Sequence, residues 1–441
     1  MNKPSNVRYK VIWFAIGLAI ITYIDRVCIA QAAPQISSDL SLSKSDLGWV
    51  LAAFAWSYAL FEIPMGWLGD RKGPRKVLTG ITAWWSVFTM AHGLAWNAAS
   101  LASIRFLFGI GEAGAFPNLT KAFSSWLPRP ERVRAQGILW MAARWGGAFT
   151  PALVFYFLQR MDWRTAFALF GVIGLVWAVI FYWWFRDEPR QHSSVNAEEL
   201  TIIGDTHSNA GGHSVPWGRF ASSGSVWLLW LSYFCVSYGW YFYITWLPTY
   251  LREARKMELT QSAILAGLPL FLGGIGCMFS GVATPWLSRL FGSERKGRRV
   301  MAIVGVLGAA FFLFLSTKLN DPIWAVIAIG MASFSNDLAM PPAWGACMDV
   351  GGRFAGTLSG SMNMMGNLAG GVAPVVIGML VERTGNWDLT FYISASVYLI
   401  AAVCWAILDP VTPLDSEPAE EVGVREPRSH GPRKLHGEAS A

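Results

Sequence analysis

The stretch Arg105-Phe106-Leu107-Phe108-Gly109-Ile110-Gly111-Glu112-Ala113-Gly114-Ala115-Phe116-Pro117 decides the reading of this chain. It sits inside a long apolar run, yet it carries one full positive and one full negative charge. Arg105 and Glu112 are seven positions apart. A helix of about 3.6 residues per turn puts both on one face, roughly 10 Å apart along its axis. A charge at the middle of a membrane helix costs about 2.5 to 3.5 kcal/mol on insertion scales, and such residues face a polar cavity or a partner. Gly109, Gly111, Gly114 and Ala115 add a smooth surface for close helix packing. The helix is expected to line a path for an anion, with Glu112 taking and giving a proton.

Outward from that stretch the whole chain is greasy. Of 441 residues, 54% are hydrophobic and only 14% charged, and the mean hydropathy is +0.38. A soluble domain carries about 25% charged residues, so the composition predicts an all-α, multi-pass membrane protein. The net charge of +7 does not point to nucleic acid, because the basic residues fall in short clusters between apolar runs. The five cysteines (Cys28, Cys235, Cys277, Cys347, Cys404) lie in apolar segments without metal-ligand spacing and read as small hydrophobic filler. The N-terminus imitates a secretory signal, with Lys3, Arg8 and Lys10 before an apolar run. Asp25-Arg26 interrupts that run, so it is read as a retained first helix.

Twelve apolar segments are long enough to span, at about 20 residues each: 11–32, 47–69, 77–96, 99–122, 135–158, 165–185, 225–250, 262–288, 300–317, 322–346, 356–381 and 388–408. One long polar connection, 186–223, separates a bundle of six (1–185) from a second bundle of six (224–408) and is expected to be a flexible linker. Residues 409–441, rich in Pro, Glu and Arg, read as a disordered cytoplasmic tail. Clusters at Arg71, Lys72, Arg75 and Lys76, at Arg129, Arg132 and Arg134, and at Arg295, Lys296, Arg298 and Arg299 mark the cytoplasmic loops and put both termini inside. Pro285–Arg299 is a loose basic copy of Gly66–Lys76, a sign of internal duplication.

Gly66-x-x-Gly69-Asp70-Arg71-x-Gly73-x-Arg75-Lys76 resembles the signature loop of the major facilitator superfamily. With Tyr23-Ile24-Asp25-Arg26, with Trp56-Ser57-Tyr58-Ala59-Leu60-Phe61-Glu62-Ile63-Pro64 and with Arg105 to Gly114, the chain is similar to the anion:cation symporter family. Bacterial hexonate, hexuronate and glucarate transporters belong to that family. The resemblance implies two six-helix bundles around a midplane cavity that rock between inward and outward states. It also implies proton-coupled uptake of an organic anion across a bacterial inner membrane by a monomer without cofactor or metal. Asp25 and Glu112 match the proton-titrating acids, Arg105 the arginine on the substrate carboxylate, and Tyr58 a cavity tyrosine. Trp344 and Asn363 match positions that touch sugar hydroxyls, although Pro341-Pro342 stands where a polar side chain is expected.

The residues themselves leave alternatives open. Asp25-Arg26 serves either proton exchange, with Arg26 toward the substrate, or a structural ion pair. Glu112 is a coupling acid or a neutral acid bonded across helices. As a coupling acid it would compete with the anion for positive charge, a linkage that runs both ways. Arg105 offers a two-bond carboxylate grip or a permanent salt bridge. Arg144, in Met141-Ala142-Ala143-Arg144-Trp145, either holds a second acidic end of the substrate or neutralises Asp25 or Glu112. Asp337 is expected to cap a helix break before Pro341-Pro342, the alternative being a third proton site. Asn363 and Asn367, four apart, suit hydroxyl recognition or helix–helix bonding. Glu62, Asp70, Arg71 and Arg75 are expected to form state-dependent ion pairs that latch the halves. Trp126 and Trp183-Trp184 read as interfacial anchors, and Asn118-x-Thr120 as an inert sequon.

No nucleophile–histidine–acid set, Walker loop or metal cluster appears in the sequence, which argues against an enzyme. The favoured reading is import of a sugar acid such as galactonate, gluconate, glucarate or a hexuronate with protons. Another small carboxylate (aromatic or tartrate-like) is the alternative. Proton-exchange efflux and a non-transporting receptor are weaker: cation exporters want cavity acids without Arg26, Arg105 and Arg144, and the tail is too short for a signalling domain.

Overall fold

The computed structural model describes residues 3–204, 217–258, 261–262 and 265–414. Among these the regular structure is helical, with no strand. The first half comprises α1 (Arg8–Asp39), α2 (Lys44–Lys72), α3 (Pro74–Ala91), α4 (Ala98–Glu112), α5 (Ala115–Trp126), α6 (Arg129–Leu158) and α7 (Trp163–Trp184). Two short helices follow, α8 (Ala197–Ile203) and α9 (Trp217–Ser222). The second half comprises α10 (Gly224–Thr245), α11 (Leu247–Glu253), α12 (Leu268–Leu290), α13 (Glu294–Lys318), α14 (Pro322–Asp337), α15 (Met340–Gly351), α16 (Ala355–Thr384) and α17 (Asp388–Ile407). Eight helical stretches among the described residues are long and apolar enough to cross a membrane.

Local chemistry sets the ends. Ser43, Asn97, Asp162, Ser223, Ser293 and Asp321 cap helix N-termini with a side-chain oxygen, satisfying donors that have no partner inside the helix. Gly73 turns α2 into α3 at φ +83° with the Asp187 carboxylate against its Cα. A side chain there would meet both the backbone cost and that carboxylate.

Three of the expected spans are each two helices, and in the third the interruption falls before Pro341-Pro342, where a break was expected. The segment 99–122 breaks at Ala113-Gly114, 225–250 at Trp246, and 322–346 at Leu338-Ala339. At the first break, Asn118 Nδ2 donates to the Gly114 carbonyl (2.8 Å) and to Met65 O (3.0 Å), serving carbonyls that a break leaves without helical partners. Asn118 is fully buried, so its side chain is out of reach of modification. Pro341-Pro342 falls in the first turn of α15, where no backbone donor is required.

The halves meet along two seams, α2 against α16 and α6 against α12. Both need glycine. A Cβ on Gly137 would lie 2.6 Å from Cys277 O, and one on Gly360 would lie 2.6 Å from Glu62 O. At the face carrying the start of α1, the polar connection is partly folded rather than a free linker. Glu199 of α8 accepts from the Val7 and Arg8 amides (2.9 and 3.0 Å), from Arg8 Nη1 (3.2 Å) and from the Ser5 hydroxyl. Its carboxylate caps the open N-terminus of α1, the contact that composition alone does not show. Leu414 N donates to Val350 O (2.9 Å) and Arg298 Nη1 to Pro410 O (2.9 Å), so the tail is docked at least to Leu414. The rest of the predicted linker and tail, 205–216 and 415–441, lies outside the described residues. Trp126 is not an interfacial anchor: it is buried, with Nε1 donating to Arg186 O (2.8 Å).

Candidate functional site

The break after Glu112 leaves that residue at the end of α4, where its carboxylate meets the guanidinium of Arg26 on α1. Arg26 Nε lies 2.7 Å and Nη2 2.6 Å from Glu112 Oε1. The Arg26 side chain is 25% exposed while Glu112 is fully buried, so Arg26 has one side in the acid pocket and one outside it. Tyr58 and Phe54 of α2 and Tyr23 of α1 frame the guanidinium at 4.7, 5.4 and 5.4 Å from ring centroids.

Arg105, the arginine singled out for the substrate, stands elsewhere. It is 2% exposed, sandwiched at 4.6 and 4.8 Å from the Phe54 and Phe108 rings, and donates Nη2 to the Arg26 carbonyl (2.9 Å). It does not line the central cavity. Sequence spacing put Arg105 and Glu112 on one face, but Arg26 of another helix came between Glu112 and the cavity. Arg105 Nε and Nη1 and Glu112 Oε2 are buried without a hydrogen-bond partner, and the Asp25 carboxylate beside them is fully buried. Buried polar atoms are nearly always satisfied, so this cluster is the place where a proton or water has unmet partners to serve.

The cavity itself measures about 60 Å³ and lies between the halves. Arg26, Tyr23, Tyr58, Trp140 and Arg144 line it from the first half; Tyr233, Trp240, Tyr241, Asn336, Asn363 and Asn367 line it from the second. At about 10–15 Å³ per water it has room for a few waters, so a carboxylate guest requires side chains to move apart. A larger groove, about 520 Å³, runs between the start of α6 and the end of α12. It is bordered by loop charges such as Arg134 and Arg289 and is remote from the acid pocket, which makes it the weaker candidate.

Arg144 neutralises neither Asp25 nor Glu112. It forms a two-bond pair with Asp337 at the end of α14: Nε to Oδ2 is 2.7 Å and Nη2 to Oδ1 is 2.9 Å. Asp337 therefore spends its oxygens on Arg144 and on Asn336 Nδ2 (2.9 Å) rather than on capping the break it precedes. Arg144 also lies 4.3 Å from the Trp240 ring centroid.

A polar relay runs through the second half. Trp344 Nε1 donates to Tyr233 OH (3.2 Å), which donates to Asn363 Oδ1 (3.4 Å). Asn363 and Asn367 each donate Nδ2 to Glu62 Oε1, the latter at 2.9 Å, and Tyr241 OH donates to Asn367 Oδ1 (2.9 Å). Trp344 is fully buried behind the cavity wall, so in this state it supports Tyr233 and does not reach the cavity. The aromatic lining by Trp140, Tyr233, Trp240 and Tyr241 was missed in the sequence, because aromatic residues in apolar runs look alike until packing separates them.

Of the residues expected in the latch, Asp70 and Glu62 reach the other half and Arg71 and Arg75 do not. Asp70 does bridge the halves, accepting from Gly356 N (2.9 Å), Thr357 N (2.6 Å) and Thr357 Oγ1 (2.7 Å) at the start of α16. Glu62 bridges by amide bonds, not as an ion pair. Arg71 lies over the Trp67 ring, and Arg75 is turned to the Tyr182 carbonyl, inside its own half. Besides Arg144 with Asp337, Arg132 and Arg129 form ion pairs across the halves with Asp349 (2.5 and 3.9 Å), and Lys121 Nζ donates to Arg353 O (2.7 Å). A carboxylate is easily placed in sequence; which cation meets it is a tertiary matter.

Comparison with known proteins agrees with this architecture. Residues 15–374 match the model of the Major Facilitator Superfamily. The chain is 38% identical over 426 residues to "Probable sulfoacetate transporter SauU" of Cupriavidus necator, covering 96% of this chain and 98% of that one. It is 29% identical to "Probable galactarate/D-glucarate transporter GudP" of Escherichia coli (92% and 94% covered) and 27% identical to "Hexuronate transporter" of Bacillus subtilis (94% and 97% covered). The solved proton:xylose symporter XylE shares the fold, with a TM-score of 0.73 at 16% identity over 92% of this chain and 98% of that one. The match, the relatives and the paired cavity arginines together make this chain a member of the Major Facilitator Superfamily, and an anion transporter within it.

Proposed function

We propose that this protein imports a small organic anion together with protons by alternating access. The observation that carries the reading is Arg26, shared between the cavity and Glu112. An incoming carboxylate or sulfonate on Arg26 competes with ionised Glu112 for the same guanidinium, so anion binding favours protonated Glu112, and protonation of Glu112 frees Arg26 for the anion. Asp25, fully buried with Trp85 and Thr89 facing it, is the second coupling acid, and Arg105 holds the field between the two. Arg26 and Arg144 grip the anion, Tyr58, Asn363 and Asn367 read its other polar groups, and Trp344 backs that wall. Asp70 belongs to the gate with Glu62, while Arg71 and Arg75 brace its own half.

Each broken pair, α4–α5, α10–α11 and α14–α15, counts as one crossing. The chain then crosses twelve times, in bundles 1–185 and 224–408 joined by 186–223. Both ends, including the tail 409–441, face the cytoplasm of a bacterial inner membrane. The protein works as a monomer surrounded by lipid and needs no cofactor beyond the proton gradient. Two arginines on one small cavity suit a guest with two acidic ends, which favours a compact dianion such as sulfoacetate, or a sugar diacid, over a neutral-tailed acid. The experiment is uptake into proteoliposomes under an imposed inward proton gradient, with labelled sulfoacetate, glucarate, galactonate, gluconate, glucuronate and benzoate. Accumulation that collapses with a protonophore supports the reading; uptake indifferent to the gradient, or only outward exchange, refutes it.

A further inference from the structure

Glu62 is the buried acid that the coupling scheme above leaves unused. It is fully buried on α2, one helical turn beyond Tyr58, with Oε1 taking both amide donors of Asn363 and Asn367 and Oε2 left without a partner. Among the described residues no cation lies within ion-pair distance of it. The charged and titratable groups that face it are Arg26 of α1, Tyr58 of its own helix, and Tyr233 and Tyr241 of α10, while α16 presents amides only. A lone carboxylate at mid-depth, sealed from water, is costly when charged and far cheaper when protonated.

Its two donors belong to the other half. Farther along the same seam, toward the start of α16, Asp70 holds Gly356 and Thr357. Opening that end must part both contacts. Asp70 then meets water at the surface. Glu62 exchanges two amides and a dry wall for the vestibule that opens beside it. Tyr58 and Asn367 line the cavity, so the cavity lies one side chain away from Glu62 in the closed state. The environment of Glu62 thus alternates with the state of the transporter, as a coupling site requires.

We propose that Glu62 is a further proton-exchanging residue of the transport cycle, protonated while the α2–α16 seam is shut and deprotonated when it opens. On opening, the O–H bond breaks, its electron pair stays on the carboxylate, and the proton passes to water in the vestibule. On closing, the carboxylate takes a proton back from cavity water. The proposal rests on the alternating-access reading but is tested without a substrate. Spin labels on the ends of α2 and α16 report the open-to-closed ratio of the purified protein by pulsed distance measurement. By linkage, raising the pH from 5 to 8 should favour the open seam in the natural protein. Glu62→Gln, which keeps the oxygen acceptor, should cut the fold-change over that range at least tenfold, while Glu62→Asp should keep it. Equal pH response in Glu62→Gln and the natural protein, or none in either, overturns the proposal. If the response depends on Glu62 but proteoliposomes show no proton-driven uptake, the transport reading falls and the proton site stands.

Discussion

At the scale of single residues, two arginines that look equivalent in sequence have different work. Arg26 reaches the cavity, and Arg105 stands behind it between two phenyl rings. Arg26→Lys removes the planar two-donor grip. A charge-assisted hydrogen bond is worth about 1.5 to 3 kcal/mol, so the anion's Kd should weaken about 10- to 100-fold, read by calorimetric titration. Arg105→Lys should leave Kd within about threefold and instead shift the pH profile of uptake; equal loss of binding in both variants would refute the division. For Arg144 the pair with Asp337 sets the design of the test. Asp337→Asn strands a buried guanidinium and should cost about 3 to 5 kcal/mol, seen as a lower melting temperature in detergent. Arg144→Gln with Asp337→Asn should restore most of that stability. If dianion uptake stays lost in the double variant, Arg144 grips substrate; if uptake returns, the pair is structural.

At the scale of helices, the chain places acids at breaks. Asn97 caps α4 and Asp321 caps α14; Glu112 and Asp337 end those helices at corresponding points of the two halves. Each meets an arginine from another helix, Arg26 or Arg144. The apolar runs, the caps and the prolines were readable in advance, because they obey local rules of period and hydrogen bonding. The breaks at Gly114 and Trp246 were not, since an apolar run looks the same with or without an interruption; the one at Leu338 was signalled by Pro341-Pro342. The seams depend on bare backbone in the same way. Gly360→Leu would push a side chain into the Glu62 carbonyl, so the α2–α16 seam could not shut. The variant should populate the seam-open state, with uptake reduced more than tenfold. Distance measurement across the seam checks this, and a closed distance distribution would refute it.

For the whole molecule, the cross-half contacts of Asp70, Lys121 and Arg132 lie at the face that carries the start of α1, with Glu62 and Arg144 tied at mid-depth. This is a transporter shut at that face. The connection between the halves is pinned to the start of α1 through Glu199. Burial alone would push that carboxyl upward, but the donors from Ser5, Arg8 and Val7 outweigh it and hold it below the usual glutamate range. A carboxyl lowered on folding stabilises above its unfolded value and loses that contribution as the pH falls through the folded one. The melting temperature should therefore drop on acidification below about pH 4.5, the ordinary glutamate value, and Glu199→Gln should flatten that drop. An identical acid limb in the variant would show that the clamp contributes nothing.

The sequence by itself determined that this is a helical membrane protein with ions sunk in apolar helices, because hydrophobic length and the cost of a buried charge are properties of the chain. Only the tertiary structure decided which ion meets which. Arg26 rather than Arg105 faces the cavity, Arg144 answers Asp337, and Glu62 answers two amides from the other half, because partners across helices are set by packing angle and depth, which no spacing along one helix can encode.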